Sequence, residues 1–227
     1  MRNLNRTLLY IILGYLSGSL LSAKFFGRLL EGKDVASDSP DKNPGVYNAF
    51  LYGGLLCGIL TLCFDLMKGF LPIYFYLKMP GAQSAGSLLP PGFPGGRLLF
   101  SGPVPENGLA LVLASPVIGH ILPIWHRFRG GKGITVTFGC LLGMLPQMRP
   151  VLILAGVFLF FSLVLKITPN CHRTLFTYLT AAVLLTLFLP GTPVCAGFWI
   201  ITAAVAAKLL SGSELREKCE VKAIWKH

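Results

Sequence analysis

Between Arg173 and Lys208 the chain runs for 34 residues without a charged side chain. A single helix of that length would far exceed the roughly 20 residues that cross a bilayer. Pro190-Gly191-Thr192-Pro193 interrupts the run, where proline removes a backbone donor and glycine favours a turn. The run therefore predicts two membrane helices joined by a tight hairpin. Four more uncharged runs, Thr7 to Ala23, Gly108 to Ile124, Gly133 to Met148 and Pro150 to Leu165, each come close to a span, and Ala49 to Leu77 carries a seventh. Helices are the spanning element because hydrocarbon offers no partner to an unpaired backbone group. The composition agrees, with 53% hydrophobic and 13% charged residues and a mean hydropathy of +0.66. The expected fold class is an all-α integral membrane protein, a bundle of about seven transmembrane helices with short loops. Residues 1–227 are expected to form one polytopic membrane domain, with a basic tail over about 211–227.

A net charge of +11 would suggest nucleic acid in a soluble chain, but in a membrane protein the placement of the cations decides. With the N-terminus outside, 14 of the 20 Lys and Arg residues fall in cytoplasmic segments, including Arg127, Arg129, Lys132, Lys166 and Arg173. Nucleic acid is not expected as a partner; the bilayer is. Arg2 and Arg6 precede the first span, but the apolar run that follows is a full span long, which argues against a cleaved signal segment. The six cysteines are scattered, without metal-ligand spacing, and read as small apolar residues. Gly81 to Pro105, rich in Gly, Pro and Ser, reads as a flexible exterior loop.

Two inside loops carry the chemistry. "GHILPIWHRFRGGKGITVTFG", Gly119 to Gly139, sets Arg127, Arg129 and Lys132 at the end of a span. There Gly130, Gly131 and Gly133 permit close backbone approach to an anion. It is not a Walker A loop, which would need glycine at His126 and a hydroxyl at Gly133. A basic turn obeying the positive-inside rule explains the same residues equally well. In "KDVASDSPDKNPGVYNAFLYGG", Lys33 to Gly54, an Asn43-Pro44-Gly45 turn precedes a helix start whose free amides and positive dipole end suit phosphate, with Asn48 nearby. Asn-Pro-Gly is also a common turn. In the second span, Asp65 and Lys68 lie three residues apart on one helix face and are expected to pair as a structural intramembrane pair. His120, at the inner end of its span, reads either as a neutral hydrogen-bonded core residue or as a base beside the anion loop.

These segments resemble the PlsY family of bacterial glycerol-3-phosphate acyltransferases. The loop from Gly119 to Gly139 matches the family's second motif in its GH, the following proline and the GGKG. "DLMKG" matches a further feature, "KNPGVYNAFLYGG" looks like the first motif, and "KLLSGSE", Lys208 to Glu214, looks like the end of the third. The resemblance implies transfer of a fatty acyl group from acyl phosphate to the 1-hydroxyl of glycerol 3-phosphate, without a cofactor or metal. It also implies a multi-pass protein of the bacterial cell membrane, with motif loops and C-terminus cytoplasmic. Carried onto this chain, Lys132 neutralises phosphate and Arg129 assists. Asn43, Gly45, Asn48, Gly130, Gly131, Gly133, Ser213 and Glu214 bind or shape the phosphate sites, with the amides of Gly45, Val46, Gly130 and Gly131 as donors. The base is either His120 or an oxygen of the bound phosphate.

The chain departs from the pattern at defined positions. Asp41-Lys42 stand where the family has Ser-Gly, and Leu51 stands where it has arginine; Thr202 and Val205 take the places of the third motif's histidine and asparagine. Asp41 is expected to repel a phosphate unless Lys42 offsets it. Two alternatives to an acyltransferase stay open: a non-catalytic homologue that binds phosphate ligands, and a small transporter of a phosphorylated solute that uses Asp65 and Lys68 along its path.

Overall fold

The computed structural model describes residues 2–78, 106–212 and 219–223. The glycine-rich stretch Gly81 to Pro105 and most of the basic tail, with Ser213 and Glu214, lie outside them. The helices run α1 (Arg2–Gly18), α2 (Ser22–Glu31), α3 (Val35–Asp38), α4 (Val46–Lys78), α5 (Glu106–Ile121), α6 (Ile134–Leu142), α7 (Arg149–Leu159), α8 (Asn170–Phe188) and α9 (Pro193–Leu210). A π-helical turn, Phe160–Val164, follows α7 and leads into β1 (Leu165–Thr168), which pairs antiparallel with β2 (Glu220–Ala223).

Five segments are long and apolar enough to cross a membrane: Leu4–Glu31, Val46–Lys78, Gly108–His126, Asn170–Phe188 and Pro193–Leu210. The expected run Gly133 to Met148 becomes the nine-residue α6, about 14 Å long at the usual helical rise. Gly143 and Pro146 stand where it ends, and proline cannot donate to a continuing ladder. Pro150 then opens α7 at the first turn, where its missing N–H costs nothing. The hairpin predicted from Pro190 to Pro193 is present, with Thr192 preceding α9.

The bundle is organised around α5, whose span window is 72% buried against 28–44% for the other four. It packs on α1, α9 and α6. Leu109, Val112, Leu113 and Val117 meet Ile73 and Tyr76 of α4, Tyr178 of α8 and Phe198 and Ile201 of α9 in one buried cluster. Outward, Leu8, Ile12, Leu55, Leu56, Ile59, Leu187 and Trp199 are exposed, as a lipid-facing surface requires. Lipid tails are as apolar as leucine, so close packing rather than water exclusion must hold such helices together, and small residues enable it. A Cβ at Gly18 would strike the Pro116 backbone, and one at Gly139 the Leu66 backbone, so these glycines set the α1–α5 and α4–α6 approach.

Gly54 interrupts α4 at φ 75°, ψ 177°. A side chain is disfavoured there. The break separates a short N-terminal piece, starting at Val46, from the long intramembrane part that carries Asp65 and Lys68.

Candidate active site

The two loops singled out in the sequence meet. Lys132 Nζ lies 3.1 Å from Asp41 Oδ2, with the side chains 15% and 21% exposed. Asp41 Oδ1 accepts from Asn48 Nδ2 at 2.7 Å and from the Asn43 backbone amide at 3.2 Å; Asn48 Nδ2 also donates to the Asn43 carbonyl at 2.8 Å. Burial pushes the Asp41 carboxyl up, but the Asn48 amide, the Lys132 ammonium and the Asn43 amide together hold it below the ordinary value of 3.8. The cation that faces Asp41 is thus Lys132 rather than its neighbour Lys42. The reason is local: Lys42 has φ 49°, and it is exposed.

Behind this pair lies a second network. Lys68 Nζ is 2.7 Å from Asp65 Oδ1, 2.6 Å from the Leu20 carbonyl and 2.9 Å from His120 Nδ1. The Ser22 hydroxyl donates to Asp65 Oδ1. Asp65 and Lys68 pair as expected, 2% and 8% exposed. An ammonium has three donors and no acceptor, so His120 Nδ1 accepts and the imidazole proton resides on Nε2. His120 is itself 2% exposed, on the inner end of α5.

The glycine loop is bent back on α5. Arg127 and Phe128 adopt φ 52° and 59°, conformations that cost roughly 1–2 kcal/mol each for residues with a Cβ. The turn is closed by the Phe128 amide donating to the Pro123 carbonyl at 3.0 Å. Gly130 N–H then donates to the Ile121 carbonyl and Gly131 N–H to the His120 carbonyl, both at 3.1 Å, while Gly45 N–H donates to the Asn43 carbonyl at 2.9 Å. The amides expected to face a ligand at these three positions are already paired. Their glycines serve approach instead: a Cβ at Gly130 would meet the His120 carbonyl, and one at Gly131 would meet His120 Nε2.

A cavity of about 640 Å³ opens onto these groups, lined by Asp41, Asn43, Gly45, Asn48, Asp65, His120, Lys132 and Gly133. Three further residues that the sequence did not assign to the site also line it. Leu51 and Phe158 add apolar wall, and Arg173 adds a second cation from the first turn of α8. A smaller recess of about 120 Å³ joins Asp41 and Lys132 to Lys208 and Gly212, so the end of the third motif reaches the same place. Arg129 does not: it is exposed and lines neither cavity. Thr202 and Val205 are buried in the bundle at 2% and 0% exposure. Arg173 was legible in the sequence only as one of the inside cations.

Comparison with known proteins identifies the family and the fold. A sequence model described as glycerol-3-phosphate acyltransferase matches residues 8–219. Relatives named glycerol-3-phosphate acyltransferase include one from Actinobacillus pleuropneumoniae serotype 5b (strain L20), 32% identical over 136 residues, which are 60% of this chain and 57% of that protein. One from Legionella pneumophila (strain Corby) is 33% identical over 132 residues, 58% of this chain and 39% of that protein. The chain therefore spans less than two thirds of the length of these curated relatives. Among solved structures, the fold is similar to PlsY (YgiH), described as an integral membrane glycerol 3-phosphate acyltransferase. Its glycerol 3-phosphate form has a TM-score of 0.64 at 22% identity, covering 90% of this chain and 86% of that one. A lysophosphatidic acid form of it gives 0.62 at 22% identity, covering 89% of this chain and 87% of that one. With nearly the whole chain matched by the family's sequence model, and a fold that agrees, this multi-pass membrane protein belongs to the glycerol-3-phosphate acyltransferase family.

Proposed function

We propose that the protein moves a fatty acyl group from acyl phosphate to the 1-hydroxyl of glycerol 3-phosphate, giving lysophosphatidate and inorganic phosphate. The observation that carries this reading is the convergence of Asn43, Asn48, His120 and Lys132 on one cavity at one end of an apolar bundle. The glycerol 3-phosphate and lysophosphatidic acid forms of the similar PlsY structure support the same substrate and product classes. Segments with the most predicted inside cations, around Lys42, Lys132, Arg173 and Lys208, border the two adjoining cavities, which supports a cytoplasmic site in a bacterial cell membrane.

In this mechanism the acceptor hydroxyl oxygen attacks the acyl carbonyl carbon, the new ester C–O bond forms, and the bond from that carbon to the phosphate oxygen breaks. The hydroxyl proton passes to a phosphate oxygen. Of the two bases the sequence left open, this one fits the hydrogen bonds, because His120 carries its proton on Nε2 and so acts as a donor. In this reading it holds a developing oxyanion rather than taking a proton. Lys132 neutralises phosphate after exchanging Asp41 for the substrate, and positioning with charge neutralisation supplies the acceleration. Asp65 and Lys68 hold the His120 ring.

A second reading is favoured by one contact. Asp41 already satisfies Lys132, which would suit a non-catalytic protein that binds phosphate ligands weakly. Membranes containing the protein, given acyl phosphate and labelled glycerol 3-phosphate, separate the two: lipid product supports the enzyme, and binding without product supports the non-catalytic protein. Uptake of the label into sealed vesicles would instead revive the transporter.

A further inference from the structure

We infer that Arg173 is a phosphate-binding residue, the cation that receives the phosphate monoester of one substrate on the wall of the cavity contributed by α8. The inference rests on the acyl-transfer reading for the identity of the ligand, but not for its charge.

Lys132 and Arg173 both line the 640 Å³ cavity, yet they stand in different electrostatic positions. Lys132 faces the Asp41 carboxylate at 3.1 Å. Arg173 forms no salt bridge with a carboxylate among the described residues. Its Nη2 donates to the Asn170 side-chain oxygen at 2.6 Å, and its Nε is buried without a hydrogen-bond partner among the described residues. A guanidinium held partly out of water with a donor unused is unfavourable until an acceptor arrives. An entering anion therefore gains more at Arg173 than at a lysine it must first strip from a carboxylate.

The side chain is also held in place for the purpose. The guanidinium carbon sits 5.5 Å from the centroid of the Phe158 ring, within cation–π range, and Asn170 fixes one edge of the fork. Such a planar, oriented fork matches two phosphate oxygens at once, which an ammonium does not. Across the cavity, Leu51 brings no charge, and the first turn of α4 at Val46 and Tyr47 faces the same space. A volume of this size lies in the usual range for small-molecule sites.

The test uses the full chain purified in detergent. Inorganic phosphate, glycerol 3-phosphate and an acyl phosphate are each titrated while thermal unfolding is followed, for the wild type, R173Q and R173K. R173Q is expected to weaken phosphate binding by on the order of tenfold or more, as loss of charge-assisted bonds would. R173K recovers part of it, and the KM of one phosphorylated substrate rises while kcat changes little. Which KM rises tells whether glycerol 3-phosphate or acyl phosphate uses the site. If R173Q binds phosphate like the wild type and only melts earlier in its absence, Arg173 is a packing residue over Phe158 and the assignment falls. Should R173Q not survive purification, R173K decides alone: wild-type phosphate affinity in it overturns the assignment of a two-pronged contact. Arg173-dependent phosphate binding without lipid product would instead defeat the acyl-transfer reading and leave this one intact.

Discussion

Asp41 and Lys132, 91 residues apart, form an ion pair at 3.1 Å in which a carboxylate sits at a phosphate-type site. The other oxygen of the same carboxylate accepts from Asn48 and from the Asn43 amide. A carboxylate that collects a lysine, a side-chain amide and a backbone N–H is bound as a small anion would be. Phosphate must compete with it.

Asp41→Ser should therefore raise affinity for phosphate and for phosphorylated substrates, by several-fold, because it removes the carboxylate that Lys132 faces and leaves a hydroxyl that can donate. Inhibition of acyl transfer by added phosphate measures this. Weaker inhibition in the variant would mean that Asp41 helps to build the site rather than to fill it.

The same pair sets an acid limit. The folded Asp41 carboxyl titrates below its ordinary value of 3.8, so its contribution to stability is complete above 3.8 and is lost as the pH falls through the lower folded value. In thermal melts taken through that acidic window, the wild type should lose stability that Asp41→Asn never had. Parallel acid profiles for the two proteins would contradict this.

The intramembrane network predicts a non-additive pair. Lys68→Met leaves Asp65 buried and unpaired, a loss of about 3–5 kcal/mol by analogy with broken buried pairs. Adding Asp65→Asn removes the stranded charge and should restore most of the melting temperature without restoring activity, since His120 Nδ1 has still lost its donor. Unfolding of the two single variants and the double variant in detergent checks the coupling; simple addition of the two losses would count against it.

Two glycines give a contrast. Gly131→Ala drives a methyl group into the His120 ring and should cut acyl transfer sharply. Gly156→Ala, in the interior of α7 with nothing within 4 Å, should leave activity alone and stabilise by roughly 0.5–1 kcal/mol through helix propensity. Activity assays and melts on the same preparations test both.

What the sequence disclosed was local. The helix start after Asn43-Pro44-Gly45, the Asp65–Lys68 pair and the hairpin at Pro190 to Pro193 each depend on residues within a few positions of one another, and each was read from spacing. His120 as the partner of Lys68 was not, because that contact spans 52 residues and depends on how α4 packs beside α5. The amides of Gly130 and Gly131 were read as facing a ligand, whereas the loop folds back and pairs them with the end of α5. Arg173 looked like one more cytosolic charge until the start of α8 brought it to the cavity. Composition measured the span at Gly133 to Met148 by its lack of charge and took no account of Gly143 and Pro146, where α6 stops.

The central claim is that Lys132 neutralises phosphate during acyl transfer to glycerol 3-phosphate. The most direct measurement is the rate of labelled lysophosphatidate formation by membranes holding equal amounts of the wild type and Lys132→Ala, with acyl phosphate as donor. A wild-type rate that falls by roughly 10²–10³-fold in the variant is the expected result, the size of loss seen when one charge-stabilising contact is removed. Equal rates in the two, or no product from the wild type while it still binds phosphate, would contradict the account.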